Sequence, residues 1–219
     1  RVLFRSAGFD TIEFNGYDEG DFSNLAITGI ERIYAGTIGG VALNLAQYNA
    51  LSELWGKFRI VDGGIVTLSA KKLYNFTLTL SDFGNSVNAK ALTSDFLVKG
   101  GAGRDIIVGG KGTNQFDGGA GKDTLVGNIG SDYLAGGAGR DVVRGLGGND
   151  HFGVQMSADL VARETFDGGD GIDEIAVLSN DGLFDFSRSY LVSIEKISTI
   201  YFDADVKFTI AQLISFADL

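Results

Sequence analysis

A nine-residue unit constrains this chain more than any other feature. It runs without a gap from residue 100 to 153 as GGAGRDIIV, GGKGTNQFD, GGAGKDTLV, GNIGSDYLA, GGAGRDVVR and GLGGNDHFG. A seventh unit, GGDGIDEIA, follows at 168–176 after a fourteen-residue insertion. Position 8 of the contiguous units is always apolar: Ile107, Phe116, Leu125, Leu134, Val143 and Phe152. Position 7 is a mixture that includes Gln115, Thr124 and His151. Adjacent residues of a strand point to opposite faces, so position 8 faces a core and position 7 faces solvent. Each unit reads as a glycine-rich turn followed by a very short strand. Two units make an eighteen-residue coil, and stacked coils make an all-β fold, a parallel β-roll or β-solenoid.

Position 6 carries Asp105, Asn114, Asp123, Asp132, Asp141 and Asp150, with Asp173 in the seventh unit. In an eighteen-residue coil Asp105, Asp123 and Asp141 fall in one column, and Asn114, Asp132 and Asp150 in another. Neighbours in a column sit one strand spacing apart, about 4.8 Å. Two unit charges at that distance repel by roughly 3 kcal/mol at an effective dielectric of 20. A hard divalent cation removes the repulsion, and calcium, which takes six to eight oxygens from carboxylates and carbonyls, suits the site better than magnesium. The glycines allow positive φ in the turns and let several carbonyls point inward.

The pattern G-G-x-G-x-D-x-U-x resembles the RTX, or hemolysin-type, calcium-binding repeat of bacterial proteins exported by type I secretion. The resemblance covers 100–153 closely and 168–176 less so. It implies several calcium ions bound between successive turns on one edge, held by the position-6 side chains and by turn carbonyls. On this sequence the carbonyls are those of Gly100, Ala102, Gly118, Ala120, Gly136 and Ala138. It also implies a chain that is unfolded in the calcium-poor cytoplasm and folds outside the cell. The pairs Asp105–Asp123 and Asp123–Asp141 match the pattern best. The second column departs from it, because Asn114 replaces an aspartate and Asn128 and Leu146 replace glycines. The stacking partner of Asp173 is left open by the insertion.

A longer period is also present. GFDTIEF at 8–14 matches GIDEIAV at 171–177, ITGIERI at 27–33 matches LVSIEKI at 191–197, and NLAQ at 44–47 matches TIAQ at 209–212. The offsets, 163 to 165 residues, predict a tandem repeat of about 164 residues. Residues 1–6, RVLFRS, break that repeat, coincide with one reading frame of a common sequencing adaptor, and are expected to be a non-native leader. The expected organisation is a β-rich, solenoid-like flank at 7–99, the β-roll at 100–153, and a final segment at 154–219. That last segment would hold the insertion, the seventh unit and the start of the next repeat. Short helices are expected in the flanks. NLAQYNALSELWG reads as a helix near 45–55, with Asn44 as N-cap, Gln47 completing a capping box and Gly56 as the stop. Thr209 and Gln212 repeat the capping pair. Trp55 and the aromatics at 74 and 76 read as core.

The net charge of −10 argues against nucleic acid and anionic membranes as partners. The uncharged stretch 33–52 holds too many polar residues and glycines to span a membrane. With one histidine, no cysteine, no HExxH and no GxSxG, the segment carries no catalytic constellation. Arg104, Lys122 and Arg140 at position 5 should point outward, as should His151. The cluster Asp167, Asp170, Asp173 and Glu174 is a further candidate cation site. The expected function is a calcium-binding module of a secreted or cell-surface protein, a slice of a tandem-repeat adhesin or matrix protein. The alternatives are an accessory domain of an exported hydrolase, lyase or other polysaccharide-modifying enzyme, and a carbohydrate-binding module at 25–99. Expected partners are calcium and, beyond it, extracellular polysaccharide or neighbouring repeats.

Overall fold

The structure is a computed structural model that describes residues 2–3, 11–14, 20–24, 27–28, 30–35, 40–68, 72–200, 204–209 and 211–212. Two long parallel sheets face each other and share one core. The first is built from Gly64–Thr67, Asn85–Asn88, Ile106–Val108, Thr124–Asn128, Val142–Gly147, Thr165–Asp170 and Tyr190–Val192. The second runs Thr11–Phe14, Arg32–Ala35, Glu53–Ile60, Lys72–Thr79, Phe96–Lys99, Asn114–Asp117, Tyr133–Ala135, His151–Val154, Glu174–Val177 and Lys196–Thr199. Within 100–153 the odd units supply strands to the first sheet and the even units to the second. The chain therefore alternates between sheets as it winds, and the fold is a parallel β-solenoid.

Register explains why position 8 must be apolar. Val66, Val87, Ile107, Leu125, Val143 and Phe166 align as one ladder across the first sheet. Phe58, Leu78, Val98, Phe116, Leu134, Phe152 and Ile175 align across the second. All of them are buried. Each side chain stacks on the equivalent residue of the next coil, so a single polar substitution would leave an unsatisfied group between two apolar neighbours. The ladders pass from the flank into the glycine repeats without a break. The same core thus extends from the strands before residue 100 through the seventh unit.

The helix is shorter than its sequence pattern suggests. It spans Leu45–Ala50 and has the expected capping box: Gln47 N–H donates to Asn44 Oδ1 at 2.9 Å, and Asn44 N–H to Gln47 Oε1 at 2.8 Å. Leu51 is already extended, and Ser52 N–H donates to the Glu31 carbonyl. Residues 53–60 form a strand between Arg32–Ala35 and Lys72–Thr79. Tertiary strand pairing overrides the helical propensity of SELW here. Trp55 and Tyr74 consequently lie on the outer face, where their rings stack with centroids 4.1 Å apart, while Phe76 is in the core. At the second capping pair, Thr209 N–H donates to Gln212 Oε1 at 2.7 Å and Gln212 N–H to Thr209 Oγ1 at 3.2 Å. Of residues 1–6 only Val2–Leu3 are described, paired with Ile27–Thr28; the rest of that segment lies outside the described residues.

Candidate metal sites

The position-6 residues form two columns along the solenoid edges. Asp105, Asn114, Asp123, Asp132, Asp141, Asp150 and Asp173 are each at most 1% exposed. Within a column, one oxygen of each carboxylate is used by the coil before it. Asp105 N–H donates to Asp123 Oδ1 at 2.7 Å and Asp123 N–H to Asp141 Oδ1 at 2.8 Å. In the other column Asn114 N–H donates to Asp132 Oδ1 at 2.6 Å, and Asp132 N–H to Asp150 Oδ1 at 2.8 Å. Asp150 N–H then donates to Asp173 Oδ1 at 2.8 Å, which gives Asp173 its stacking partner despite the insertion. The column closes on Glu195, whose Oε2 accepts from Asp173 N–H at 2.8 Å.

The other carboxylate oxygen is left over. Oδ2 of Asp123, Asp132, Asp141, Asp150 and Asp173 is buried without a hydrogen-bond partner. Unpaired buried oxygens of this kind are costly, and an ionised one more so. Burial, with neighbouring aspartates adding to it, pushes Asp123 and Asp150 up to about 7 and Asp141 to about 6. Asp105, Asp132 and Asp173 are raised by the same desolvation.

The position-1 glycines complete each cradle. A Cβ built on Gly100 or Gly118 would stand 2.8 Å from Oδ2 of Asp105 or Asp123, and one on Gly136 would stand 2.7 Å from Oδ2 of Asp141. Only glycine lets the carboxylate fold back over its own turn. In the third unit positions 2 and 4 also need glycine for conformation, at Gly119 (φ +86) and Gly121 (φ +135). Paired carboxylate oxygens with no proton donor, set among backbone turns, are the donor set that a hard divalent cation takes. The residues present fit calcium. Among the described residues no three acidic or histidine side chains converge on one point, so such an ion would depend on backbone oxygens as much as on carboxylates.

The family comparison agrees with this geometry. The model of the RTX calcium-binding nonapeptide repeat, a family of four-copy units, matches residues 97–125 and 126–152. This segment is an RTX calcium-binding β-roll. The match spans about a quarter of the chain, and the RTX segment is continuous with the parallel ladders on either side of it. No curated protein and no solved structure gives a significant match to the chain.

The columns extend beyond the RTX match in ways the nonapeptide spacing hides. Asn85 stands one coil before Asp105, and its N–H donates to Asp105 Oδ1 at 2.8 Å. Glu164 stands one coil after Asp141, because Val142 pairs with Thr165. It is 3% exposed, and burial, with Asp141 and Asp159 nearby, pushes its carboxyl up to about 9. The offset of twenty-three residues from Asp141 to Glu164 puts it outside any nine-residue count. Asn114 differs from its aspartate neighbours in a useful way. Its Nδ2 donates to Gly110 O at 3.1 Å, Gly112 O at 2.9 Å and Asp132 Oδ1 at 2.8 Å. The amide supplies donors at the place where the other units leave an oxygen unpaired.

The remaining acidic candidates separate. Asp173 joins the column, but Glu174 points to the outer face, where its Oε2 lies 3.0 Å from Lys196 Nζ and 3.3 Å from His151 Nδ1. Asp167 lies 3.9 Å from Arg144 Nε, and Asp170 is exposed. Arg104, Lys122 and Arg140 are exposed at the rim, as their position predicts.

Proposed function

We propose that this chain is part of a secreted or cell-surface protein built of tandem repeats, and that its β-roll folds when calcium enters the two carboxylate columns. The observation that carries the reading is the row of buried, unpartnered Oδ2 atoms. In a calcium-poor compartment the stack must hold these carboxylates protonated or lose its packing, whereas calcium converts the same oxygens into ligands. Metal binding and folding are then one equilibrium. Asp105, Asp123 and Asp141 serve one column, and Asp132, Asp150 and Asp173 the other. The turn carbonyls of Gly100, Ala102, Gly118, Ala120, Gly136 and Ala138 complete the first column's sites.

Support for the tandem arrangement comes from strand geometry that recurs at the sequence offset. Thr11–Phe14 pairs with Arg32–Ala35 as Glu174–Val177 pairs with Lys196–Thr199. Gly20–Asp21 pairs with Val41–Leu43 as Leu183–Asp185 pairs with Asp205–Lys207. Gln47 Nε2 donates to Phe22 O at 2.8 Å, and Gln212 Nε2 to Phe186 O at 2.9 Å. From Thr11–Phe14 to Glu174–Val177 the second sheet advances by eight strand spacings, roughly 38 Å. Successive repeats would stack as one rod that lengthens by that amount each, which suits an adhesin or matrix protein.

Circular dichroism of the 219-residue chain during calcium titration, with magnesium and EDTA controls, tests the reading. A cooperative gain of β signal with calcium alone is expected. A chain equally folded in EDTA would refute calcium-coupled folding.

A further inference from the structure

The turn at 155–163, which leads into Glu164, has none of the glycine pattern, yet it keeps the solenoid's register. Thr165 N–H donates to Asp141 O at 3.1 Å, as Val142 N–H does to Asp123 O and Thr124 N–H to Asp105 O one and two coils earlier. Leu160 bridges Gly139 in parallel, just as Gly139 pairs with Gly121. Residues 155–163 therefore replace a nonapeptide turn. In doing so they bring Glu164 to the column position and Asp159 beside it.

Two side chains at this level each keep one oxygen without a partner. Oε2 of Glu164 and Oδ2 of Asp141 are both buried without a hydrogen-bond partner. Both residues line a small cavity of about 10 Å³ with Gly136, Gly137, Asp159 and Leu160. That is room for one water-sized centre. The Val161 N–H donates to the Glu164 carboxyl, and the charges of Asp141 and Asp159 act on it. Asp159 Oδ2 is already engaged with Met156 N–H at 2.9 Å.

We propose that this cavity is a further calcium site, closing the first column, in which Glu164 and Asp141 are the carboxylate ligands with Asp159 beside them. The proposal rests on the calcium reading of the preceding coils, but it concerns a turn that lies outside the RTX match and lacks its motif. Asp159 adds negative charge at the rim and favours a divalent over a monovalent ion.

Native mass spectrometry of the 219-residue chain at saturating calcium, counting bound ions, tests this with three variants. Glu164→Gln is expected to bind one ion fewer than the wild type while retaining its β signal. Glu164→Leu, which fills the cavity with apolar atoms, is expected to lose the same ion even if the glutamine variant folds poorly. Asp123→Asn, in the RTX segment, is the control and should also lose calcium. An unchanged ion count in both Glu164 variants, with loss in Asp123→Asn, would overturn this site and leave the RTX sites standing. A wild-type chain that binds no calcium would overturn both.

Discussion

The backbone N–H of Asp123 donates to Oδ1 of Asp141 at 2.8 Å, and the second oxygen of each carboxylate has no partner. One bond fixes the spacing of the coils, and the leftover oxygens hold the chemistry. Asp123 lies between two coils of its column, so it should matter to two ions at once. Asp123→Asn is expected to raise the calcium concentration at half-folding by roughly tenfold or more. In EDTA the same variant should melt at or above the wild type, since an amide can donate to turn carbonyls as Asn114 does. An unchanged calcium midpoint would count against Asp123 as a ligand.

Acid should stabilise the calcium-free fold. Asp123 and Asp150 reach about 7 and Asp141 about 6, above the ordinary carboxylate value of 3.8. A raised carboxyl binds its proton more tightly when folded, so its stabilising effect is full below pH 3.8 and is lost as pH climbs through the folded value. Urea midpoints in EDTA are therefore expected to fall from about pH 4 to about pH 7, between the ordinary and the folded values. Saturating calcium should reverse the trend, because the ion must displace those protons. Parallel pH profiles with and without calcium would contradict this account.

Asn114 marks where the second column stops leaving an oxygen free. Replacing it by aspartate removes three Nδ2 contacts and creates the paired-carboxylate geometry of the other levels. Asn114→Asp is expected to bind one additional calcium ion and to be less stable than the wild type in EDTA by about 1–3 kcal/mol, the cost of an unpaired buried polar group. Ion counting and calcium-free denaturation read the two effects separately. A variant with no extra ion and no loss of apo stability would show that the amide is not standing in for a cation.

Leu146 stores strain that glycine would relieve. It occupies position 2 of its unit with φ +77, where Gly119 and Gly137 have +86 and +85. It is 49% exposed, so little burial is lost on truncation. Leu146→Gly is expected to stabilise the calcium-loaded fold by about 1 kcal/mol, the left-handed penalty less the entropy of the new glycine. Chemical denaturation at saturating calcium measures it, and a destabilised variant would mean that Leu146 packs against something its exposure conceals.

Much of the candidate site was written in the spacing. A strict nine-residue period with an apolar position 8 and an acidic position 6 has only one way to bury the first and stack the second, so Phe116 in the core and Asp123 in a column follow from period alone. The capping pairs Asn44–Gln47 and Thr209–Gln212 were legible for a similar reason, since both partners lie within one turn. Local spacing determines local geometry when every contact is made at a fixed separation along the chain.

Three features were decided only by tertiary structure. Trp55 belongs to a strand because Arg32–Ala35 and Lys72–Thr79 offer hydrogen bonds on both sides, which outweigh a helix pattern of a few tenths of a kcal/mol per residue. Glu174, at the outward position 7, meets Lys196 only because its strand pairs with Lys196–Thr199. Glu164 enters the column after a turn of different length, and only the pairing of Val142 with Thr165 brings it there. In each case the deciding partner lies one coil away, at a separation that the repeat no longer fixes, so the sequence determined the period and the assembled coils determined who meets whom.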